Sequence, residues 1–487
     1  MKVNFIKENN KSNNINILII SEEFLKKSKS SILLEAKKNY DFAAKDSQIV
    51  QIAADSKIII LAGAGEEKKI NELVAQKLGG NISAFLNRAK IKSAQIDILD
   101  NIDKNPLNDI DFASNIAFGA NLQTYRFNKY FYDKKKGKDS IVENLEIIVK
   151  DIKKSEVEYK KLEIIAENIT FARDLVSEPS NVLTPPNYAK ICQSLATLGL
   201  EVEVLGESEM EKLNMNSLLA VGQGSSQESK LVILKWNGAK NKDEQPIAFV
   251  GKGVTFDTGG ISIKPSLNME DMKTDMGGSA VVVSLLRLLA QRKANVNAIG
   301  VVGLVENMPA GNAQKPGDVV SSMSGQTIEV INTDAEGRMV LADALHYTNV
   351  NFKPKFIIDL ATLTGAIVVA LADVHAGLFS NDDKLSKQIN DSGLKTGETV
   401  WRMPVSDVYD KMINSDIADM KNVGAGRGAG STTAAQFLHR FIGKTPWVHL
   451  DIAGVAWEGK GNSMAVKGAS GYGVKLLNNL VAENYEK

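Results

Sequence analysis

The sequence predicts an α/β fold in which a largely parallel sheet is covered by helices. Short apolar runs of strand length alternate with helical stretches along the chain, which is the pattern of strands joined by helical crossovers. Hydrophobic residues make up 44% of the 487 residues and charged residues 24%, close to the averages for globular proteins. The length suggests two to four domains and excludes a single small module.

The first segment, residues 1–150, is rich in Lys, Asn and Ile. Its apolar runs, such as Ile58–Ala62, alternate with amphipathic stretches such as Glu67–Leu78. We therefore predict an N-terminal α/β domain over residues 1–150. Gly63 and Gly65 follow the first run, but Lys68 stands where a dinucleotide-binding fingerprint has its third glycine, so nucleotide binding is a weak alternative there.

The rest of the chain predicts a connecting helix and a second domain. Residues 151–178 are strongly charged at helical spacing and predict one long helix that ends near Glu178-Pro179. Residues 179–487 form the predicted second domain. Its strand candidates are Leu231–Leu234, Ile247–Val250, Ala298–Val305, Ile328–Ile331, Phe356–Leu360 and Trp447–Ile452, and its main helix candidates are Ser279–Arg292 and Val340–Tyr347.

Acidic residues and glycines follow two of these strands. Asp257 and Asp275 follow the second strand candidate, and Asp334 and Glu336 follow the fourth. Because sites in such sheets lie at the carboxyl ends of strands, we expect all four at or just past strand ends, in one cleft. Four anions need compensating cations, and two divalent ions would supply them and hold an attacking water. The alternative is that these acids cap helices or lie in surface loops.

Other reactive side chains are sparse. The four histidines are scattered and match no HExxH motif, so each is interpreted as packed or surface-exposed. The single cysteine, Cys192, is interpreted as a buried structural thiol, and this cysteine usage predicts a reducing compartment, by default the cytoplasm. Gly443–Thr445 predicts a turn, and Gly424–Gly430 predicts either a mobile surface loop or a lid over a site.

The net charge and the length of the apolar runs argue against two classes of binding partner, nucleic acids and membranes. Lys+Arg and Asp+Glu both number 58, so the chain is formally neutral, which argues against a dedicated nucleic-acid binder. Lys134–Lys138 is a local basic run. The longest apolar stretches, Ala280–Ala290 and Gly365–Ala372, are shorter than the roughly 18 residues that span a bilayer. We therefore expect no membrane partner, and the N-terminus offers no secretory signal.

The second acidic segment also carries a family resemblance. Asn332–Arg338, continued to Leu345, resembles the signature of the leucyl aminopeptidase family, the di-metal cytosolic aminopeptidases. The likeness covers about residues 165–487 in order. Its other matching segments are Arg173–Val176, Asn181–Pro185, Val221–Ser225, Gly251–Gly278, Ala361–Ala366 and His449–Gly454.

The resemblance implies roles for individual residues. The implied metal ligands are Lys252, Asp257, Asp275, Asp334 and Glu336, and the implied catalytic residues are Lys264 and Arg338. Asp257 and Glu336 are expected to bridge two divalent ions, Mn²⁺ or Zn²⁺, and Arg338 to hold a bicarbonate that relays a proton. The implied walls of the substrate pocket are Met272, Thr362, Leu363 and Gly365. Without the resemblance, Lys252 would be interpreted as a surface lysine.

The family also implies an architecture and a reaction. It implies a smaller N-terminal α/β domain, a catalytic domain with a mixed, largely parallel sheet between helices, and a homohexamer. The reaction is removal of an N-terminal residue, preferably leucine or another apolar residue, from a peptide by a metal-bridged water, with Lys264 stabilising the oxyanion. Ser470–Gly473 departs from the family's usual pattern and leaves loop detail open.

The sequence leaves two alternative functions open. A di-metal phosphoesterase would also clamp its substrate between two ions. A nucleic-acid-binding accessory role is the second, because some members of the family bind DNA. Lys134–Lys138 would be its contact, although a solvated loop is the simpler interpretation of that run.

Overall fold

The computed structural model describes residues 1–8, 15–54, 57–133, 141–424, 426 and 428–486. The chain forms two compact units. The first comprises Met1–Thr170 and Glu458–Gly468, and the second comprises Phe171–Trp457 and Ala469–Lys487. Within the described ranges, none of the helices combines the length and the apolar sequence needed to cross a bilayer.

The first unit is built on a six-stranded sheet. The strands run in the order β1-β6-β5-β2-β4-β3, and every neighbouring pair is parallel except β3 with β4. Its elements are β1 (Lys2–Ile6), β2 (Ile15–Ser21), α1 (Glu22–Lys27), α2 (Ser31–Tyr40), β3 (Ile49–Ala54), β4 (Lys57–Gly65), α3 (Glu72–Arg88), β5 (Ser93–Asp97), α4 (Asp109–Gln123) and β6 (Asn144–Ile148).

Local sequence explains the main helices of this unit. α3 and α4 each begin after an asparagine whose side chain accepts a backbone N–H of the first turn, Asn71 in α3 and Asn108 in α4. Such caps satisfy donors that the helix itself cannot pair. Ile17 and Ile60 on the sheet are fully buried in the same apolar core as α3 and α4. The unit therefore has a core of its own.

The second unit contains most of the helices. A 26-residue helix, α5 (Ile152–Ser177), crosses the boundary between the units, as do the short strands β18 (Trp457–Glu458) and β19 (Gly468–Ala469). The other elements are α6 (Pro185–Ser194), β7 (Glu201–Leu205), α7 (Glu207–Lys212), α8 (Asn216–Gly222), β8 (Lys230–Asn237), β9 (Ile247–Asp257), α9 (Gly277–Gln291), β10 (Asn297–Asn307), β11 (Val319–Ser321), β12 (Thr327–Glu329), α10 (Gly337–Phe352), β13 (Ile357–Ala361), α11 (Gly365–Leu371), β14 (Ala376–Ser380), α12 (Asp383–Thr396), β15 (Val400–Arg402), α13 (Asp407–Lys411), β16 (Met420–Lys421), α14 (Gly430–His439), β17 (Trp447–Asp451) and α15 (Val474–Asn484).

An eight-stranded sheet organises this unit. Its order is β15-β14-β17-β13-β9-β10-β8-β7, with the central strands β17, β13, β9 and β10 parallel to one another. β14 and β8 are antiparallel to their inner neighbours, so the sheet is mixed. The predicted fold class is therefore confirmed.

Helices cover both faces of the sheet. Successive side chains of a strand point to opposite faces. The Cα of Gly251 in β9 lies against Ser279 of α9, whereas the next side chain, Lys252, lies against Gly337 at the start of α10. α9 and α10 therefore pack on opposite faces, and the charged end of Lys252 lies beside the turn that precedes α10.

One strand prediction was wrong in its sheet assignment. The apolar run Ile328–Ile331 contains the short strand β12, but β12 pairs with β11 and β16 in a separate three-stranded sheet. An apolar run indicates burial, and Ile328 and Val330 are fully buried, but burial alone does not specify which sheet a strand joins.

Candidate functional site

Four acidic side chains converge from three parts of the second unit. Asp257 is the last residue of β9, and Glu336 occupies the N-cap position of α10, two residues after Asp334, without a capping hydrogen bond from its side chain. Asp275 ends a 3-10 helix, Met269–Thr274, just before α9. The expectation that all four lie at strand ends was therefore wrong for Asp275, and Asp334 and Glu336 lie in the turn before α10 rather than at the end of a main-sheet strand.

Lys252 lies between two of these carboxylates. Its Nζ is 2.7 Å from Asp275 Oδ1 and 2.8 Å from Glu336 Oε1. It also donates to the carbonyl oxygen of Thr362 at 2.9 Å. The side chain is only 2% exposed, so Lys252 is a buried residue of the cluster and not a surface lysine. A Cβ on Gly337 would lie 2.5 Å from Lys252 Cε, so only glycine leaves room for this lysine.

Lys264 lies at the other side of the cluster. Its Nζ is 2.7 Å from Asp257 Oδ2 and also forms an ion pair with Asp334. The other oxygen of Asp257 accepts hydrogen bonds from Asn307 Nδ2 at 2.8 Å and from the backbone N–H of Gly259 at 2.9 Å. These bonds fix the orientation of the Asp257 carboxylate in the cluster.

The cluster carries more negative than positive charge. Burial raises the pKa of Asp257 to about 6, with help from repulsion by Glu336. Burial also raises the pKa of Asp275 well above its ordinary value. Burial lowers the pKa of Lys252, but Asp275 and Glu336 outweigh it and raise that pKa above its ordinary value. The carboxylates are therefore short of compensating cations when no ion is bound.

Two observations fit a divalent metal centre. One carboxylate oxygen from each of Asp257, Asp334 and Glu336 lies within 4.8 Å of the other two. Among the described residues, Asp275 Oδ2 and Glu336 Oε2 are buried without a hydrogen-bond partner. Buried carboxylate oxygens normally have a partner, so these atoms are free acceptors for a cation. Oxygen donors with one amine suit ions such as Mn²⁺ or Zn²⁺.

Arg338 lies in the first turn of α10 and is buried. One terminal nitrogen donates to the carbonyl oxygen of Asn422 at 2.8 Å. Its Nε is buried and has no hydrogen-bond partner in the part of the chain that the structure describes. Burial lowers the pKa of Arg338 to about 10, against the attraction of Glu336 and Asp451. A buried guanidinium with a free donor fits a small oxyanion.

A cavity of about 460 Å³ opens onto the cluster. The structure brings together, along its lining, the five implied metal ligands, Lys264 and the four implied pocket residues, Met272, Thr362, Leu363 and Gly365. Arg338 is not part of this lining. The sequence did not identify the further apolar walls, Leu267, Val368, Ala453, Ala456 and Trp457.

Some residues that hold the site in place could not be identified from the local sequence either. Asn307 orients Asp257, and Asn422 accepts from Arg338 and donates to the carbonyl oxygen of Asn332 at 2.7 Å. Each is distant in sequence from the residue that it supports. Only pairing information across the sheet could have identified them.

The remaining sequence features have structural roles or lie outside the described residues. Cys192 is buried, and Gly443–Thr445 lies in a turn, as predicted. The Cα of Gly63 lies against the backbone of Lys45, so close packing explains that glycine. The basic run Lys134–Lys138 lies outside the described residues, as do two positions of Gly424–Gly430.

Comparisons with known proteins agree on one family. Residues 170–478 match the catalytic-domain model of the cytosol aminopeptidase family, and residues 5–134 match its N-terminal-domain model. A probable cytosol aminopeptidase of Brucella melitensis biotype 1 is 53% identical over 430 residues, which are 88% of this chain and 87% of that protein.

Two solved structures are similar over nearly the whole chain. A mutant of tomato leucine aminopeptidase has a TM-score of 0.87 and 31% identity, covering 99% of this chain and 97% of that one. The bottromycin maturation enzyme BotP in complex with Mn has a TM-score of 0.84 and 29% identity, covering 96% of this chain and 98% of that one.

Proposed function

Since this chain belongs to the cytosol aminopeptidase family and is an aminopeptidase that acts on peptides, we propose that it is a metal-dependent leucyl aminopeptidase. It would release an N-terminal leucine or another apolar residue. The observation that carries this proposal is the buried carboxylate cluster, whose free oxygens on Asp275 and Glu336 face no partner among the described residues. The cluster borders a cavity that also has apolar walls.

Five residues would hold two divalent ions, Mn²⁺ or Zn²⁺. They are Lys252, Asp257, Asp275, Asp334 and Glu336. When bound, the ions supply the positive charge that polarises the scissile carbonyl and acidifies the attacking water. Lys252 would have to give up its proton to become a ligand, since an ammonium has no lone pair. A structure of BotP contains Mn, which supports a divalent ion in this fold.

Lys264 would act on the developing negative charge. Its Nζ lies at the cavity, where Asp257 and Asp334 hold it. Burial lowers the pKa of Lys264, but Asp257, Glu336 and Asp334 outweigh it and raise that pKa above its ordinary value, so the side chain remains an ammonium. A fixed positive donor stabilises an oxyanion more than it stabilises the neutral carbonyl, and this difference accelerates the reaction.

Arg338 would hold a bicarbonate through its free Nε. The anion supplies a proton acceptor, and Arg338 orients it and balances its charge. Arg338 itself is placed by α10 and by the carbonyl oxygen of Asn422. The free Nε of the buried Arg338 guanidinium therefore supports the binding of an exchangeable anion.

The pocket walls support a preference for apolar first residues. Met272 and Leu363 lie on the cavity beside Val368 and Ala456. Transfer of a leucine side chain from water to such an environment is worth about 2 kcal/mol. Thr362 and Gly365 complete the implied pocket.

The family also supports proposals on domains, assembly and location. We propose an N-terminal domain over residues 1–150, a connecting helix over 151–178 and a catalytic domain over 179–487. We also propose that the protein is a homohexamer and that it is located in the cytoplasm. The phosphoesterase and nucleic-acid alternatives are not favoured, because the family is one of aminopeptidases.

Exhaustive chelation tests the proposal. Chelated protein should lose hydrolysis of leucine anilide, and Mn²⁺ or Zn²⁺ should restore it, whereas a phosphate monoester should remain intact throughout. The matched control is Asp343→Asn, which alters a buried carboxylate that does not line the cavity. Its response to chelation should equal that of the unaltered chain. Full activity after complete removal of metal would refute metal dependence, and phosphate release would favour the phosphoesterase.

A further inference from the structure

We propose that Asp451 is a positioning residue that sets the preference for the first side chain of the substrate. It would do so by fixing the loop Thr362–Thr364, which forms one wall of the cavity. This inference rests on the proposed aminopeptidase function, because it concerns how that pocket selects its substrate. Asp451 does not line the cavity itself.

The position of Asp451 follows from the sheet. Asp451 ends β17 and pairs with Ala361, the last residue of the parallel neighbour β13. The chain leaves β13 directly into Thr362, Leu363 and Thr364. Because the carboxyl ends of the two strands lie side by side, the side chain of Asp451 can reach this loop.

Asp451 forms three hydrogen bonds around the loop. Its Oδ1 accepts the backbone N–H groups of Leu363 at 3.1 Å and Ala453 at 3.2 Å. Its Oδ2 accepts the hydroxyl of Thr364 at 2.7 Å. The bonded residues Leu363, Thr364 and Ala453 all line the cavity. One carboxylate therefore connects two separate segments of the pocket wall.

The other end of the loop is attached to the metal cluster. Thr362 accepts from Lys252 Nζ through its carbonyl oxygen, and its hydroxyl donates to Asp275 Oδ1 at 2.8 Å. The loop is thus held at Thr362 by the catalytic machinery and at Leu363 and Thr364 by Asp451. Release of the second attachment should alter the pocket wall more than the cluster.

A carboxylate suits this position better than an amide. Three donors share two acceptor oxygens, whereas asparagine offers one acceptor oxygen and one NH₂ group. Thr364 also caps α11, since its hydroxyl oxygen accepts the N–H of Ile367 at 3.1 Å. An amide could keep the N–H groups of Leu363 and Ala453 through its oxygen, but its NH₂ group would then have to donate to the hydroxyl of Thr364, so every bond to the charged carboxylate would become a weaker, neutral one.

A buried pair behind Asp451 supports its charge. His449 lies two residues earlier on the same face of β17, and its Nδ1 is 2.6 Å from Asp359 Oδ1. Burial raises the pKa of Asp451, and attraction to His449 opposes that rise. The electrostatic attraction of His449 thus favours the ionised form of Asp451, which can accept all three hydrogen bonds.

Steady-state kinetics of Asp451→Asn test the inference in the full chain loaded with Mn²⁺. We expect the ratio of kcat/KM for leucine anilide to that for alanine anilide to fall about tenfold, because charge-assisted hydrogen bonds to the loop become neutral ones. The change should appear mainly as a higher KM for leucine anilide, with the metal content unchanged. Asp343→Asn is the matched control, because Asp343 is also buried and accepts backbone N–H groups, from Leu218 and Met323.

Two further variants cover the case in which Asp451→Asn does not fold. Thr364→Ser keeps the hydroxyl and should preserve the ratio, whereas Thr364→Ala removes it and should lower the ratio. An unchanged ratio in Asp451→Asn, or equal ratios in the two Thr364 variants, would overturn the inference while the unaltered chain remains active. Failure of the proposed function is distinguishable, because the unaltered chain would then hydrolyse neither anilide.

Discussion

Replacement of Gly337 by alanine should disrupt the candidate metal centre, although Gly337 is not one of its proposed ligands. Gly337 carries no charge and would not bind a metal, yet its Cα faces the end of Lys252. A Cβ at this position would lie 2.5 Å from Lys252 Cε and 2.8 Å from Nζ. Carbon atoms in contact normally stay about 3.5–4.0 Å apart, so the lysine must move by about 1 Å or more.

The expected loss follows from this displacement. Lys252 Nζ lies 2.7 Å from Asp275 and 2.8 Å from Glu336, and both contacts would lengthen. Overfilling a packed site costs about 1–3 kcal/mol, whereas alanine in place of glycine in a helix gains up to about 1 kcal/mol. With the full helix gain, we expect a net destabilisation of up to about 2 kcal/mol and the loss of metal from one of the two proposed sites.

Metal content and the thermal unfolding midpoint measure the two effects. Gly365→Ala is the matched control, because Gly365 also begins a helix but an added Cβ there would meet nothing within 4 Å. The control should keep both ions, and its unfolding midpoint should stay the same or rise. If Gly337→Ala also retained two ions with an unchanged midpoint, Lys252 would not be confined as the structure indicates, and the reasoning would be refuted.

Three further predictions address the reaction and the fold. Lys264→Ala should keep its metal and lose mainly kcat, whereas Asp334→Ala should lose metal and activity together; a change in KM alone for Lys264→Ala would contradict the oxyanion role. N-acetylation of a peptide should prevent its hydrolysis, and equal rates for blocked and free peptides would exclude recognition of the free amine. Burial lowers the pKa of His449, but Asp359 and Asp451 outweigh it and raise that pKa. The pair with Asp359 therefore stabilises the fold fully below about pH 6.5 and less as pH rises through the folded-state pKa. Denaturant titrations should show that His449→Gln costs more stability at about pH 6 than at about pH 9, and an equal cost at both values would argue against a charged pair.

Most of the fold could be predicted from local patterns. The apolar runs Ile247–Val250, Ala298–Val305 and Trp447–Ile452 correspond to β9, β10 and β17, because a strand buried on both faces is apolar throughout. The antiparallel placement of β14 and the separate sheet of β12 could not be predicted, since both depend on pairing between distant segments. The local sequence could not identify Lys252 as a site residue for a related reason. Lys252 lies within a buried strand, and the residues that pair with it come from other elements.

The candidate site divides into residues that local sequence identifies and residues that it does not. A position that supplies a carboxylate to a cation is restricted to Asp or Glu, and it needs small neighbouring residues such as Gly337. Asp334 and Glu336 therefore lie in a segment with a recognisable sequence pattern. A residue that positions a loop needs only an acceptor at the right place in the sheet. For Asp451 that place is set by its pairing with Ala361, far away in the sequence. Similarity in the acidic segments therefore supports the chemistry, whereas substrate preference depends on long-range contacts such as those of Asp451 with Leu363.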